Sequence, residues 1–298
     1  MTARPHPRES RPPAGPAPTA VGGAIGLLAG EGGLPEVLAR AVRARGRRLV
    51  CVQIGRENPA LEALADVFAR LSLEKWEQLL DLWQRHGVRE VLVAGSIRRS
   101  DLLAQLSGGD AVVRGFLERL PDRRDQSVLD AVAGVLQFLG IRILDQMAYI
   151  RDHVPEPGLL AGGPPSAVEQ SDVEMGLSVA RTLADLDVGQ TVVLKQGVIL
   201  AVEAAEGTDA TIRRGGAMTP AAVVVKVSRP RQDPRFDVPT VGPETIESME
   251  AVGARVLAIE ARRTIVLEGS RLVAAAEAAR ISVLAVDAPP LGMAGAGA

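Results

Sequence analysis

The chain has 298 residues, of which 47% are hydrophobic, so it is long for one domain and sufficient for two domains that each bury a core. Its formal net charge of -2 and its aromatic content of 2% argue against a nucleic-acid-binding protein, which usually presents a basic face with interleaved aromatic side chains. The single cysteine, Cys51, excludes a disulfide framework and fits a reducing compartment. Because no apolar run reaches the length of a membrane span and no signal peptide is evident, we expect a cytoplasmic protein.

Proline and glycine divide the chain into segments. Residues 1–20 are rich in proline, arginine and alanine and are predicted to form a disordered tail, since this composition cannot bury a core. The run PEPGLLAGGPP at residues 155–165 is the best candidate for a linker between domains. We therefore predict an N-terminal domain over residues 21–154, a C-terminal domain over residues 166–288 and a frayed tail over residues 289–298.

The first domain is predicted to begin with a strand, a glycine-rich turn and a helix. The apolar run Ala24–Gly30 leads into the letters EGGLP and then into a helical pattern that continues to Arg45. Glycines let the backbone approach a phosphate and a helix start offers free N–H groups, so Gly30, Gly32 and Gly33 are candidate phosphate-binding residues. The spacing differs from G-x-G-x-x-G, so a merely tight strand–helix turn explains it equally well.

A second loop of this kind follows a later strand. After the predicted strand Glu90–Ala94, the letters GSIRR bring a hydroxyl group, Ser96, and two arginines. In a parallel sheet this loop lies beside the first glycine turn. The alternation of strands and helices indicates a Rossmann-like parallel sheet with helices on both faces. The other predicted strands of this domain are Arg48–Ile54 and Ile141–Leu144. The predicted helices are Glu74–His86, Asp101–Leu120 and Gln126–Leu139. The stretch Leu61–Leu71 fits either a helix or a strand.

The second domain is predicted to be a mixed α/β fold. A helix over residues 167–186 precedes two strands, Thr191–Leu194 and Val198–Val202, that are joined as a hairpin. The letters EGTD at residues 206–209 open another helix, where acidic and hydroxyl side chains either cap the helix or mark an end that receives an anion; capping is favoured. The remaining predicted strands are Val223–Val227, Val256–Ile259, Thr264–Leu267 and Ser282–Val286, and the remaining helices are Glu244–Val252 and Ser270–Ala279.

A stiff, charged loop follows the strand Val223–Val227. Its sequence, RPRQDPRFDVPTVG over Arg229–Gly242, contains three prolines, which exclude a helix or an inner strand. The loop stands between a strand and a helix, where open α/β sheets place ligand-binding loops. Arginines suit phosphate oxygens, and an aspartate among them can hold a metal ion or a water. A solvated turn whose charges pair with each other is an equally good interpretation.

Three words of this sequence, AIGLLAGEGGLP, AVEAAEGTDATIRR and RQDPRFDVPTVG, occur in this order and resemble one family. It is the UDP-2,3-diacylglucosamine pyrophosphatase family of the LpxI type, which acts in lipid A biosynthesis, and the resemblance runs from about Ala24 to Asp287. The resemblance implies an α/β protein with an N-terminal Rossmann-like domain and a C-terminal mixed α/β domain. The two domains would hold a lipid-linked nucleotide sugar between them. It also implies hydrolysis of UDP-2,3-diacylglucosamine to UMP and 2,3-diacylglucosamine 1-phosphate, supported by Mg²⁺.

The resemblance also implies site residues. The family's essential aspartate lies in the D-x-P-T word, which makes Asp237 the expected catalytic residue. We expect Asp237 to position Mg²⁺ or the attacking water, with Asp209 and Glu206 supporting it. Asp209, in the EGTD word, matches a second acidic position, and Arg213 or Arg235 has the chemistry to clamp phosphate oxygens. Two features depart from the pattern: the proline-rich extension before Val21, and the letters RQDPR. The full set of expected substrate-binding residues is Gly30, Gly32, Gly33, Ser96, Glu206, Thr208, Arg213, Lys226, Gln232, Arg235 and Thr240.

Two other functions stay open from the sequence. One is a nucleotide-sugar or lipid-binding protein without catalysis, which the intact D-x-P-T and EGTD words oppose. The other is a dinucleotide-dependent oxidoreductase, which expects an acidic residue at the end of the second strand, whereas this strand ends Gln53-Ile54-Gly55. We expect a monomer or homodimer that makes transient contact with the inner-membrane surface, although no strongly basic amphipathic helix stands out.

Overall fold

The computed structural model describes residues 23–72, 75–96, 133–229, 233–236 and 238–287, and these contain two large β-sheets and one small one. Several predictions concern the other residues and lie outside the described part of the chain: the two tails, the helix Asp101–Leu120, and the site residues Gln232 and Asp237. None of the helices in the described ranges combines the length and the hydropathy that a membrane-spanning helix requires.

The first sheet is entirely parallel, as the sequence predicts. Its strands are β1 (Ile25–Ala29), β2 (Leu49–Gln53), β3 (Val67–Arg70), β4 (Glu90–Ala94) and β5 (Arg142–Ile143). They lie in the order β3-β2-β1-β4-β5, which is the order that begins the doubly wound nucleotide-binding fold. Strand order reverses between β1 and β4, so the glycine turn after β1 stands at the point where such sheets receive ligands.

Helices cover both faces of this sheet. They are α1 (Leu34–Ala44), α2 (Pro59–Leu64) and α3 (Trp76–Arg85), and residues 133–138 are also helical. α1 packs on one face through Leu38 and Val42, whereas α3 packs on the other through Leu79 and Trp83, so this tryptophan serves the core. The ambiguous stretch Leu61–Leu71 contains the end of α2 and the whole of β3.

The lone cysteine belongs to the core of this domain. Cys51 lies on β2 and is fully buried. Burial raises the pKa of its thiol to about 12, so the thiol stays protonated at neutral pH. A protonated, fully buried thiol on a strand serves as a small core residue and not as a nucleophile.

The second sheet is mixed, which confirms the predicted class of the C-terminal domain. Its strands are β6 (Gly158–Ala161), β7 (Thr191–Lys195), β8 (Val198–Val202), β9 (Val223–Lys226), β11 (Val256–Glu260) and β13 (Ser282–Val286), in the order β6-β13-β11-β9-β7-β8. The three central strands β9, β11 and β13 are parallel, and antiparallel strands flank them on both sides. β6 falls inside the predicted linker, residues 155–165, so part of that segment completes the sheet.

Four helices of the described residues pack on the second sheet. They are α4 (Ala167–Asp185), α5 (Thr208–Gly216), α6 (Pro243–Glu250) and α7 (Gly269–Ala278). α4 begins with a capping box in which the side chains and backbone of Ser166 and Glu169 bond reciprocally. It covers one face of the sheet through Val173 and Leu177, whereas the other three helices bury Ile212, Ile246, Met249 and Leu272 against the opposite face.

The predicted β7–β8 hairpin is present, and a buried carboxylate holds its turn. Gln196 and Gly197 have φ values of 49° and 77°, the two positive values of a type I′ turn. Asp172 on α4 is buried, and its two carboxylate oxygens accept the backbone N–H groups of Gln196 and Gly197, each at 2.7 Å. α4 is thereby fixed to the edge of the sheet.

Replacing this carboxylate is expected to lower stability. Asp172→Ala leaves two backbone donors without their acceptor, and the expected cost is about 2 kcal/mol of unfolding free energy. Urea unfolding followed by circular dichroism measures it. Asp185→Ala, on the exposed end of the same helix, is the control and should change stability by less than about 0.5 kcal/mol. Equal stabilities of the two variants would contradict the proposed role of Asp172.

A small third sheet connects the two domains. β10 (Thr240–Val241) and β12 (Ile265–Val266) pair in parallel, separately from the second sheet. Ile265 and Val238, just before β10, pack into the core between α1 and the first sheet. Leu267 also reaches the glycine turn, since its Cδ1 lies 3.4 Å from where a Cβ on Gly33 would stand. The C-terminal domain therefore contributes side chains to the core of the N-terminal domain.

Candidate active site

The glycine turn after β1 lies against the loop after β4, as expected for a parallel sheet. Glu31 and Ser96 exchange two backbone hydrogen bonds, of 2.8 and 2.9 Å. A Cβ on Gly30 would stand 2.6 Å from the Ser96 carbonyl oxygen, and one on Gly95 would stand 2.7 Å from the Glu31 carbonyl oxygen. These two positions therefore need glycine so that the loops can pack closely. Close packing explains Gly30 without a ligand.

Gly32 and Gly33 differ from Gly30 and Gly95 because they are not packed against the neighbouring loop. Both are exposed at the start of α1, and Gly32 has a φ of 101° with no atom within 4 Å of a would-be Cβ. Gly33 is the N-cap residue of α1, and no side chain caps the helix there. The backbone at this helix start is therefore exposed, which an anion-binding helix start requires.

In the second domain, a buried lysine organises a group of polar side chains at the end of β9. Lys226 is only 6% exposed, and its Nζ donates to Thr208 Oγ1 at 3.0 Å and to the Thr240 carbonyl oxygen at 2.8 Å. Thr208 in turn donates to Glu203 Oε1 at 3.1 Å. We call Glu203, Thr208, Asp209 and Lys226 the Lys226 cluster. It brings the predicted residues Thr208, Asp209, Lys226 and Thr240 together.

Asp209 is the second acidic member of this cluster. It lies in the first turn of α5 and is half-buried. Burial raises the pKa of its carboxyl group, and the charges of Lys226 and Arg213 oppose that rise. Within the described ranges, no hydrogen bond or ion pair of this carboxylate is found. A desolvated carboxylate beside a buried ammonium group makes Asp209 a candidate site residue.

The start of α5 corrects one prediction. Its N-cap residue is Gly207, and no side chain caps the helix, so the predicted side-chain cap is wrong; Asp209 does lie in the first turn, where an acidic residue suits the helix dipole. Glu206 is exposed and bonds to Arg214 at 2.5 Å; hydrogen bonds from its own backbone and from Arg214 lower the pKa of Glu206. Arg213 is also exposed and donates to Ser248 at 3.0 Å. The structure therefore places the side chains of Glu206 and Arg213 outside the hydrogen-bonded part of the Lys226 cluster.

In the charged loop, the predicted mutual pairing of charges holds for two residues. The Arg235 guanidinium bonds to both carboxylate oxygens of Asp233, at distances between 2.5 and 2.9 Å, and it lies 5.4 Å from the centre of the Phe236 ring. Burial raises the pKa of Asp233, but the hydrogen bonds from Arg235 outweigh it, so the pKa lies below its ordinary value. In this conformation Arg235 neutralises a carboxylate of its own loop.

The same loop spans the two domains. Phe236 is buried in the core beneath α3, and Val238 is buried in the core beneath α1. Gln146, which is fully buried, donates through Nε2 to the carbonyl oxygens of Arg235 and Phe236, each at 3.1 Å, and to that of Val93 on β4. The residues on both sides of position 237 are therefore held at the edge of the first sheet.

The short separation of Phe236 and Thr240 in the sequence limits the distance between the Lys226 cluster and this edge of the first sheet. Thr240, whose carbonyl oxygen accepts from Lys226, follows Phe236 by four residues. Four residues span at most about 14 Å of extended chain. The Thr240 backbone that accepts from Lys226 therefore lies within about 14 Å of the Phe236 backbone held at the edge of the first sheet.

Gln146 is expected to be important for this arrangement. Gln146→Leu removes its bonds to the loop and leaves buried carbonyl oxygens without donors, so the free energy of unfolding should fall by about 2 kcal/mol. Chemical denaturation measures the change. Gln137→Leu, on an exposed helical position nearby in sequence, should stay within about 0.5 kcal/mol of wild type. A Gln146→Leu variant as stable as its control would show that the loop does not depend on this side chain.

Comparisons with known proteins identify the family of this chain. Residues 24–153 match the LpxI N-terminal domain, and residues 156–284 match the LpxI C-terminal domain. The chain belongs to the LpxI family. The UDP-2,3-diacylglucosamine pyrophosphatase LpxI of Caulobacter vibrioides (strain ATCC 19089 / CIP 103742 / CB 15) is 30% identical over 279 residues, which cover 88% of this chain and 97% of that protein. The family resemblance found in the sequence is thereby confirmed.

A solved structure is also similar, but only weakly. Glycinamide-RNase-transformylase T from Mycobacterium tuberculosis covers 60% of this chain and 44% of its own, with 14% identity and a TM-score of 0.23. A likeness at that level carries no conclusion about this LpxI family member.

Two buried glutamates of this LpxI family member were missed from the sequence. Glu203 belongs to the Lys226 cluster, and Glu260 ends β11 with its side chain almost fully buried. Glu260 accepts the backbone N–H of Ser228 at 2.8 Å and an Arg181 N–H at 2.6 Å, which fixes the point where the charged loop leaves β9. Their place in the sequence could have identified them, because each glutamate directly follows a run of apolar residues and is therefore a candidate for burial at a strand end.

The expected magnesium site can be compared with the described side chains. Among them, no group of three or more His, Cys, Asp or Glu residues is placed to hold a metal ion. Mg²⁺ often has fewer than three protein ligands, because it keeps several waters and commonly takes one or two protein carboxylates together with substrate phosphates. Asp209 is one such half-buried carboxylate, so the described part of an LpxI site fits a magnesium ion that the substrate helps to hold.

Proposed function

We propose that this protein hydrolyses the pyrophosphate of UDP-2,3-diacylglucosamine, releasing UMP and 2,3-diacylglucosamine 1-phosphate for lipid A biosynthesis. The observation that carries the proposal is the pair of contacts on either side of position 237: the Phe236 carbonyl oxygen accepts from Gln146 at the first sheet, and the Thr240 carbonyl oxygen accepts from Lys226. In the sequence, the D-x-P-T word stands between these two contacts. The name of the Caulobacter vibrioides relative supports the same reaction. In this proposal the substrate lies between the two domains.

The positive groups of the site would hold the diphosphate. The buried ammonium group of Lys226 and the open backbone at the start of α1, with Gly32 and Gly33, suit phosphoryl oxygens. Ser96 is exposed beside the glycine turn and offers a further hydroxyl donor. Neutralising these oxygens lets a nucleophile approach phosphorus and stabilises the charge that the leaving phosphate gains.

The carboxylates would orient the attacking water. We assign this role to Asp237, supported by Asp209. The water oxygen bonds to one phosphorus, the bond from that phosphorus to the bridging oxygen breaks, and the water proton ends on a phosphate oxygen or the solvent. A bound Mg²⁺, held by Asp209, Asp237 and the substrate, would neutralise phosphoryl charge.

The substrate's two acyl chains set further requirements. They need apolar surface, and the substrate itself resides in a lipid bilayer. We therefore propose that the protein works at the cytoplasmic side of the inner membrane and contacts its surface transiently. Flotation with vesicles that contain the substrate would test this contact.

The experiment that tests the reaction is direct. Purified protein is mixed with UDP-2,3-diacylglucosamine, and UMP and the sugar 1-phosphate are quantified by mass spectrometry. We expect both products in equal amounts. Substrate binding without UMP release would instead support a non-catalytic lipid-binding protein and would refute the hydrolase.

Metal removal gives a second expected result. Treatment with EDTA should lower UMP release by about 100-fold or more, because an unshielded diphosphate resists attack, and added Mg²⁺ should restore it. The control adds Mg²⁺ and EDTA together in equal amounts. Full activity of the EDTA-treated protein would remove magnesium from the proposal.

A further inference from the structure

The amino end of the first sheet collects arginines from several turns. β1, β2, β4 and β5 are parallel and begin side by side, so the turns that precede them meet at one edge. The Ile25 N–H donates to the Arg48 carbonyl oxygen before β2, and the Arg142 N–H donates to the Arg89 carbonyl oxygen before β4, each at 2.8 Å. Arg48 and Arg89 therefore flank the start of β1, with their backbones about 10 Å apart.

Only part of the positive charge at this edge is neutralised. Three carboxylates there pair with arginines: Asp66 with Arg43, Asp81 with Arg85, and Glu90 with both Arg47 and Arg142. Arg45, Arg48 and Arg89 are exposed, and no ion pair of theirs is found in the described part of the chain. We call these three residues the basic edge. Since the whole chain has a formal net charge of -2, the basic edge is a local excess of positive charge.

Two exposed apolar side chains stand beside the basic edge. Phe138 is 90% exposed, more than any other large apolar side chain of the described residues, and Leu139 is 42% exposed. They lie at the end of the helical residues 133–138, just before β5. Gly140 follows directly, and a Cβ on it would stand 3.5 Å from Nη1 of Arg89. The edge therefore combines guanidinium groups with an aromatic ring that the core leaves in water.

This combination suits an anionic lipid surface. Guanidinium groups are attracted to lipid phosphates, and a phenylalanine and a leucine can enter the boundary between headgroups and acyl chains. A nucleic acid would satisfy the charges but leave these apolar side chains in water, and an aromatic content of 2% offers few stacking partners for bases. The arginines come from separate turns, so this surface forms only in the folded domain.

We infer that the basic edge, together with Phe138 and Leu139, docks the protein on the anionic surface of a membrane. The glycine turn lies at the other end of the five-residue strand β1, about 17 Å away. Docking by this edge therefore leaves the candidate active site uncovered. The choice of a lipid partner rests on the proposed function, whose substrate resides in a bilayer, whereas the charge and the exposed side chains do not depend on it.

The test uses the full-length protein and vesicles that contain no substrate. Sedimentation measures binding to vesicles of phosphatidylglycerol and phosphatidylcholine in equal parts, and to vesicles of phosphatidylcholine alone. The two test proteins are Phe138→Ala and the double variant Arg48→Gln with Arg89→Gln. Because all three side chains are exposed, the variants should fold, and circular dichroism melts verify this.

The second domain supplies matched controls. Arg255→Gln with Arg280→Gln removes two exposed arginines that stand just before β11 and β13, the same kind of position in the other sheet. Met218→Ala removes a large apolar side chain that is 67% exposed. Each control changes charge or apolar surface as its test variant does, but away from the basic edge.

The wild-type protein should bind the anionic vesicles, bind the neutral ones at least tenfold more weakly on the order expected for a basic surface, and lose affinity as salt is raised. The double arginine variant should bind anionic vesicles about tenfold or more weakly than wild type, since each basic residue near such a surface contributes about fivefold. Phe138→Ala should lose about fivefold or more, and both controls should stay within about twofold.

Several results would overturn the inference. They are a wild-type protein that binds no anionic vesicles, one that binds neutral vesicles equally well, and a double arginine variant that binds no more weakly than its control. A wild-type protein that binds duplex DNA but no vesicles would also overturn it, because the basic edge would then serve a nucleic acid.

These outcomes are separate from those that test the reaction, since the vesicles contain no substrate. Release of UMP from substrate in detergent micelles should stay within about twofold of wild type in both test variants, because neither change touches the candidate active site. If the wild-type protein binds anionic vesicles but releases no UMP, the proposed hydrolysis is refuted and the docking surface stands. If it releases UMP but binds no anionic vesicles, the docking surface alone is refuted.

Discussion

Asp237→Asn should abolish UMP release while leaving the fold intact. Asparagine keeps the size of aspartate but removes the negative charge that we assign to holding the attacking water and the magnesium ion. The expected loss is about 10³-fold in turnover, equivalent to about 4 kcal/mol of transition-state stabilisation. UMP release under single-turnover conditions measures it, with folding verified by circular dichroism.

The control for this change lies in the same loop. Asp233→Asn removes the partner of Arg235, so it should lower stability modestly while turnover stays within about fivefold of wild type. Wild-type turnover of Asp237→Asn would remove Asp237 from the mechanism. A loss of turnover as large in Asp233→Asn would show that the loop's charge as a whole matters, and not one carboxylate.

Asp209→Asn should lower turnover about 100-fold without lowering stability. Burial raises the pKa of Asp209, which means that the folded state disfavours the charged form of this side chain. Removing the charge should therefore leave the melting temperature at neutral pH equal to that of wild type or above it. A charged side chain that lowers the stability of the folded protein, as we expect of Asp209, is typical of a position that function requires.

The pH dependence follows from the direction of this shift. A carboxyl group with a raised folded-state pKa destabilises the folded protein fully above that pKa, and the penalty disappears as the pH falls through the ordinary aspartate value of 3.8. The stability difference between Asp209→Asn and wild type should therefore shrink in acid. Thermal melts of both proteins across this range measure it, and Asp185→Asn at an exposed position is the control.

A different outcome would assign Asp209 to the structure. If Asp209→Asn melts several degrees below wild type at neutral pH, and its activity falls only in step with the folded fraction, the carboxylate stabilises α5. The Lys226 cluster would then be a buried polar network, and Asp237 alone would remain as the proposed acidic residue of the site.

Local patterns were sufficient for most elements of the fold. The strands β1, β2 and β4 consist mainly of buried apolar residues, and the glycine turn and α1 follow β1 as predicted. The hairpin at Gln196–Gly197 was also predictable, because the two-residue turn is a local property of the backbone. The adjacency of the Gly30 and Ser96 loops followed from one further rule, the geometry of parallel sheets.

Contacts between distant segments could not be read in the same way. The predicted linker contains β6, because an edge strand of the second sheet needs a partner that only the folded chain supplies. The short strands β10 and β12 carry Val238 and Ile265 into the core of the other domain. No periodicity within so short a segment reveals which domain will bury its side chains.

The sequence by itself determined the two-domain α/β class, the glycine turn, the family, and the words that carry Asp209 and Asp237. Only the tertiary structure decided that Lys226 joins Thr208 to Thr240, that Arg235 pairs with Asp233, and that Glu206 turns away toward Arg214. The physical reason is that backbone propensity and hydrophobic pattern act over a few neighbouring residues, whereas the partner of a charged side chain depends on which segments are packed beside it.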